Sequence, residues 1–161
     1  MLFRSIVASG FRVEGMSEEE HFSNAVSVLK KAAALAEEAG VLLVLEPLNT
    51  KLFSAMYLVS TKLGLDIVEA VDSPNLRLLY DVWHSAVMGE DIEEVLRGRT
   101  HLVAHVQYAD MPDRNEPGTG ELNYQYLFRF LDEVGYQGWI GCEYRPRAGS
   151  SAGLGWVRRW L

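Results

Sequence analysis

Four short segments of the 161-residue chain each close on a side chain that can hold a hard cation: Glu46 in Leu45-Glu46-Pro47-Leu48-Asn49, Asp81 in Tyr80-Asp81-Val82-Trp83-His84, Gln107 in His105-Val106-Gln107, and Glu143 in Gly141-Cys142-Glu143-Tyr144-Arg145-Pro146. All four end strand-like runs. Three carboxylates and an amide are oxygen donors, the type of set that suits Mg or Mn. Parallel strands that alternate with helices deliver their C-terminal ends to one face, so the four donors can meet on one divalent cation. Taken singly, each carboxylate reads more simply as a helix cap or a surface ion pair. Their recurrence outweighs that reading, because an unpaired charge closing a buried aliphatic run is costly and one shared cation accounts for all four.

Other side chains surround this set. Asp81 and His84 form an Asp-x-x-His pattern at a strand end, where His84 either meets a substrate oxygen or packs on Trp83. His105 lies two residues before Gln107, on the same strand face and one layer deeper, as a hydrogen-bonded core histidine would. Arg114, in Pro112-Asp113-Arg114-Asn115-Glu116-Pro117, follows the Gln107 strand in a loop on the same face and suits bidentate carboxylate recognition. Arg145 and Arg147 flank Pro146 and rank below it as anion contacts. Cys142 alternates outward between Gly141 and Glu143 and is assigned no chemistry. Glu18, Glu19 and Glu20 sit in a first helical turn, where a solvated cap is the simpler reading.

The elements that must position these residues are legible. Ser5 to Ser9 is a short strand stopping at Gly10. Ser17 and Glu20 form a capping box for a long amphipathic helix with Phe22, Ala25, Val26, Leu29, Ala32, Ala33 and Ala36 on its stripe and Gly40 as its stop. Val41 to Leu45 is a continuous aliphatic run, as a parallel strand buried on both faces requires, and Pro47 ends its ladder. Ser60 caps a helix through Leu63, Ile67, Val68 and Val71. Strands follow at Leu76 to Asp81, Leu102 to Gln107 and Trp139 to Glu143. Helices opened by Asp91 and Asn123 lie between them, Asp110 to Gly120 is a loop, and a last helix starts near Leu154. The alternation specifies an α/β fold with a parallel sheet of five strands. Residues 1–161 read as one domain, part of a TIM barrel, since a closed eightfold barrel takes about 250 residues.

Composition narrows the function classes. The formal net charge is −7 and the pI about 5.1, which argues against nucleic acid or an anionic membrane as partner. A small polar or anionic substrate then needs locally placed cations. One cysteine excludes an intramolecular disulfide, no apolar run approaches the length of a membrane span, and no signal-peptide pattern opens the chain. The expected location is cytoplasmic.

The phrases around Glu46, Gln107 and Glu143, the last continued through Arg147, together with Glu116-Pro117-Gly118-Thr119-Gly120-Glu121-Leu122-Asn123-Tyr124, resemble the hydroxypyruvate isomerase family of xylose-isomerase-like TIM barrels. The likeness runs from about Gly10 onward. It implies a (βα)8 barrel with Mg or Mn held by Glu46, Asp81, Gln107 and Glu143. It also implies an aldose–ketose isomerisation of hydroxypyruvate to tartronate semialdehyde, or of a similar 2-oxo sugar acid, through an enediolate. Glu46 and Glu143 would then be both metal ligands and catalytic acid and base, with His84 and Arg114 on the substrate. Related sugar epimerases carry histidine where this chain has Gln107, which favours the isomerase branch. Family members begin with about three further strand-helix units, so the chain is expected to be an N-terminally truncated form with an open barrel edge that pairs as a homo-oligomer. Two alternatives follow: an inactive or assembly-dependent fragment, and, ranked lower, a sugar epimerase or metal-dependent phosphodiesterase.

Overall fold

The computed structural model of the protein describes residues 3–159. Its five strands are β1 (Phe3–Val7), β2 (Val41–Leu45), β3 (Leu76–Asp81), β4 (Val103–Tyr108) and β5 (Trp139–Cys142), all parallel and side by side in chain order. Every neighbouring pair is joined by a helical crossover: α1 (Glu18–Glu38), α2 (Thr61–Val71), then α3 (Val82–Val87) with α4 (Ile92–Leu96), and α5 (Tyr124–Glu133). A single turn, α6 (Ser150–Gly153), and a 3₁₀ segment (Gly155–Arg159) close the chain. The sheet curls into half a barrel, with the helices on its outer side.

Local chemistry explains the elements. Ser17 and Glu20 make the reciprocal capping box, Glu20 N–H to Ser17 Oγ at 3.2 Å and Ser17 N–H to Glu20 Oε2 at 2.8 Å. Leu29, Ala33 and Ala36 bury one side of α1, and Gly40 turns the chain into β2 at φ +65°. The side chains of Ser60, Asp91 and Asn123 cap α2, α4 and α5.

Strand alternation sorts the core into two unequal parts. The outward residues, among them Leu43, Leu45, Leu76, Leu78, Tyr80 and Val106, pack with the helices into one large cluster. The inward residues Leu42, Val44 and Leu79 form a small separate cluster with Ala104. Ile6 and Trp139 share that inner face by register and stay 50% and 66% exposed.

Several boundaries differ from the sequence reading. The first strand starts at Phe3, ahead of Ser5, and ends at Val7, because Ala8 and Ser9 already belong to the loop whose Ser9 hydroxyl accepts from Leu58 N–H. The last strand stops at Cys142, leaving Glu143 just beyond the ladder. Helix α3 was not foreseen: it follows β3 without a gap because the Asp81 side chain caps it. Where a last helix was expected from near Leu154, the described residues form a 3₁₀ segment, and the single turn α6 precedes it.

The loop from Asp110 to Asn123 is held by one buried carboxylate. Asp110 Oδ2 accepts from the N–H groups of Gly118, Thr119 and Gly120 at 2.8, 3.1 and 3.0 Å, and Oδ1 from Leu122 N–H at 3.1 Å. Asp110 O also accepts from Arg114 N–H at 2.9 Å, and Arg114 O from Arg145 N–H at 2.7 Å, which ties this loop to the end of β5. At Gly120 an added Cβ would lie 1.7 Å from Met111 O. Gly118, at φ +86°, has open space around its missing Cβ. Gly120→Ala is therefore expected to destabilise the fold by at least about 2 kcal/mol. Gly118→Ala should cost only about 1–2 kcal/mol of backbone strain. Urea denaturation of the two variants measures the difference, and equal losses would contradict the steric account.

Candidate metal centre and active site

The site lies at the C-terminal ends of β2 to β5. Glu46 directly follows β2, Asp81 ends β3, Gln107 lies in β4 and Glu143 directly follows β5. Placing Gln107 beside Asp81 takes an irregularity in the sheet. Val103 pairs with Leu78, but His105 pairs with Leu79, so one residue of β4 is absorbed between them and Gln107 comes level with Asp81. Without that shift Val106 would stand there and Gln107 would face the helices. Gln107 Oε1 is buried and has no hydrogen-bond donor.

Glu46, Asp81 and His84 each offer one ligand atom, all within 4.8 Å of one another, and all three residues are buried. His84 Nε2 lies 4.0 Å from Glu46 Oε1 and 3.8 Å from Asp81 Oδ2. Asp81 divides its work: Oδ1 caps α3 through Trp83 N–H at 2.8 Å and His84 N–H at 3.2 Å, and Oδ2 faces the site. Glu143, the most exposed of the carboxylates, is joined to the others through Arg114, whose Nη2 donates to Glu143 Oε2 at 2.7 Å and to Asp81 Oδ2 at 3.3 Å. Arg114 takes a left-handed backbone, φ +60°, and its guanidinium lies over Trp83, 4.7 Å from the ring centroid.

The orientation of His84 follows from a residue that the sequence reading passed over. Asn49 is fully buried, and its Oδ1 accepts from Leu52 N–H at 3.0 Å, so its Nδ2 is the atom 2.8 Å from His84 Nδ1. An amide NH₂ only donates, so Nδ1 is an acceptor and the ring proton sits on Nε2, pointing at the carboxylates. Burial, reinforced by the charge of Arg114, holds the His84 pKa down at about 4, so the ring is neutral at pH 7. His84 thus presents an N–H donor to the site. Of the four expected oxygen donors, the structure brings Glu46 and Asp81 into one group with His84, while Gln107 lies level with Asp81 on the next strand and Glu143 is reached through Arg114.

The carboxylates are under electrostatic tension. Burial first, then the charges of Asp81 and Glu143, push Glu46 up to about 8, against the lowering effect of Arg114. Burial also raises Asp81, opposed by Arg114 and by its hydrogen bonds from the α3 backbone. Crowded acids that resist ionisation, next to an orphaned buried amide oxygen, fit a divalent cation: positive charge would favour the ionised carboxylates and Gln107 Oε1 would gain a partner. His105 lies one layer deeper as expected but without the expected hydrogen bond at Nδ1, which is buried and unpaired, and its Nε2 is 2.9 Å from where a Cβ on Gly141 would sit, so glycine there makes room for the ring. Cys142 faces outward, with Sγ 3.2 Å from the Tyr108 hydroxyl.

In TIM-barrel enzymes the active site sits at the C-terminal ends of the barrel strands, which is where this chain gathers its acidic side chains. The chain belongs to the xylose isomerase-like TIM barrel family, which it matches over residues 4–160. It is 43% identical to a 2-oxo-tetronate isomerase of Cupriavidus necator over 130 residues, 81% of this chain and 50% of that protein. It is 36% identical to the hydroxypyruvate isomerase of Escherichia coli over 143 residues, 89% of this chain and 55% of the other. A crystal structure from Brucella melitensis, titled AP endonuclease, family 2, superposes with a TM-score of 0.88 at 34% identity, covering 98% of this chain and 60% of that one. The chain thus spans about half the length of the curated relatives it matches.

Without metal, the folded chain keeps protons on Glu46 and Asp81 that the unfolded chain has already released, so stability falls as pH rises toward the raised values. The depressed histidine acts in the opposite sense, but only below its unfolded pKa of about 6.5. Between pH 6.5 and about 8 the Tm of the metal-free chain is therefore expected to drop by roughly 2–4 °C, the scale of 1 kcal/mol. Glu46→Gln should flatten that slope and raise Tm at pH 8, and saturating Mg or Mn should raise Tm more at pH 8 than at pH 6.5. Calorimetry across this window checks the account, and a metal-free Tm that climbs with pH contradicts it.

Proposed function

We propose that this chain carries the metal-holding and proton-moving face of an aldose–ketose isomerase acting on a small 2-oxo acid, converting hydroxypyruvate to tartronate semialdehyde or acting on a close analogue. One observation carries the reading: a buried, proton-retaining Glu46 shares its pocket with Asp81 and with a neutral His84 whose N–H faces both acids. The isomerase names of relatives 36–43% identical support the same reaction class.

Glu46, Asp81, Gln107 and Glu143 would hold Mg or Mn. The cation, when bound, supplies positive charge to the substrate oxygens between which the reaction shifts electron density. The work of the chain itself is a proton transfer. One glutamate takes a proton from the hydroxymethyl carbon, and a proton returns to the neighbouring carbonyl carbon. One C–H bond breaks and another forms, and the hydroxyl proton changes oxygens, so no external oxidant or reductant enters. Glu46 and Glu143 stand at the two sides of the cluster and take the base and acid roles. Burial gives Glu46 a proton affinity high enough for base chemistry near neutral pH, while neighbouring positive charge keeps it ionisable. His84 donates Nε2–H to the oxygen that gains charge, and Asn49 keeps that donor aimed.

The exposed inner-face residues Ile6 and Trp139 favour a second reading, in which turnover needs an assembly that covers this face. A phosphodiesterase reading has weaker support: the chain is acidic, and the described residues contain one cluster of three metal-type side chains.

Glu46→Gln and Glu143→Gln are each expected to cut turnover about 10²–10⁴-fold while keeping part of the metal affinity, since an amide oxygen can ligate but cannot act as a base. The measurement is incorporation of solvent deuterium from hydroxypyruvate with Mg or Mn, with metal binding titrated in parallel. Full activity in either variant would refute its role in proton transfer. Repeating the assay over a range of concentrations beside light scattering separates the two readings. Activity per chain that rises as the chains associate points to the assembly, and constant activity from a monomer points to the single chain.

A further inference from the structure

Next to the acid cluster, on the far side of Arg114, the surface folds into a cavity of about 210 Å³ lined by Lys51, Leu52, Trp83, Pro112, Asp113, Arg114 and Arg145. That is below the roughly 300–1,000 Å³ of pockets that take drug-sized ligands, and suits a molecule of a few carbons. Its charge is opposite to that of the chain. The protein as a whole has 15 basic and 22 acidic residues, whereas this wall has three cations and one acid, Asp113.

The three cations are not equivalent. Arg114 is engaged through Nη2 with Asp81 and Glu143, and its face lies on Trp83. Among the described residues, Lys51 Nζ reaches only the Pro112 carbonyl, at 3.5 Å, and Arg145 enters no ion pair although its backbone N–H is fixed to Arg114 O. Two cations without a carboxylate partner among the described residues therefore line one small cavity, whose wall also includes the Arg114 that bridges Asp81 and Glu143.

We infer that this cavity is the carboxylate subsite of the substrate, with Lys51 and Arg145 as the anion-binding pair, and that Arg114 instead holds Asp81 and Glu143 in place. Only the identity of the substrate rests on the isomerase reading above. Specificity follows from this placement: a carboxylate held here leaves the adjacent hydroxyl and carbonyl carbons toward Glu46 and His84, so three- and four-carbon hydroxy or oxo acids are bound and neutral sugars of the same length are not.

D-Glycerate, which carries the carboxylate but cannot isomerise, is the probe, with glycerol as its neutral counterpart and inorganic phosphate as a competing oxyanion. Binding is read from the indole N–H resonance of Trp83, assigned with a Trp83→Phe variant. Glycerate should shift that resonance, glycerol should not, and glycerate should bind more tightly than phosphate. Lys51→Ala and Arg145→Ala should each raise the glycerate Kd about ten-fold or more, as expected for losing one charge-assisted hydrogen bond, with Mn affinity unchanged. Three outcomes overturn the inference: no glycerate binding by the unsubstituted chain, glycerate affinity retained in both variants, or affinity lost only in Arg114→Ala. A failure of the isomerase reading shows separately, as absent metal binding or absent deuterium exchange with the glycerate titration intact.

Discussion

Like charges crowded at the rim of a parallel sheet are the constraint on which this molecule turns. Glu46 and Asp81 are buried, Glu143 is close enough to raise Glu46, and burial makes both buried acids hold their protons more tightly than free carboxylates do. Arg114 supplies part of the opposing charge, bridging Asp81 and Glu143 with a single nitrogen. A divalent cation would supply the rest. The pull between burial and these counter-charges leaves Glu46 with a proton affinity near neutral pH.

Much of the surrounding structure keeps this cluster in place. Asp81 caps α3 with one oxygen and faces the site with the other, so the helix that carries His84 is pinned to the same residue that His84 must face. Asn49 fixes the ring from behind. Asp110 gathers four backbone N–H groups to shape the loop that presents Arg114, and Gly120 is there because Met111 O leaves no space for a Cβ. On the inner face the packing is sparse: Leu42, Val44, Leu79 and Ala104 form a small cluster, while Ile6 and Trp139 remain exposed. No helix among the described residues is long and apolar enough to cross a membrane. The chain is about half as long as the curated relatives it matches.

The sequence by itself determined the order of the five strands and of helices α1, α2, α4 and α5, and the candidate residues, because these are written in local chemistry. The Ser17–Glu20 box, the aliphatic run Val41 to Leu45 and the caps at Ser60, Asp91 and Asn123 act over a few residues, and they appear where their spacing places them. Four oxygen-bearing side chains at strand ends were visible for the same reason. What depends on neighbours in space was decided by the tertiary structure alone. The absorbed residue in β4 sets whether Gln107 or Val106 stands beside Asp81, and register between strands is a property of two segments together. The tautomer of His84 depends on Asn49, 35 residues away, and Asn49 is oriented in turn by Leu52 N–H. The commitment of Arg114 to the acids, beside a Lys51 and an Arg145 that form no ion pair among the described residues, arises only when segments 29 or more residues apart meet. Periodicity and caps report what a residue does to its own backbone. Burial, pairing and charge balance are set by whichever residues the fold brings alongside.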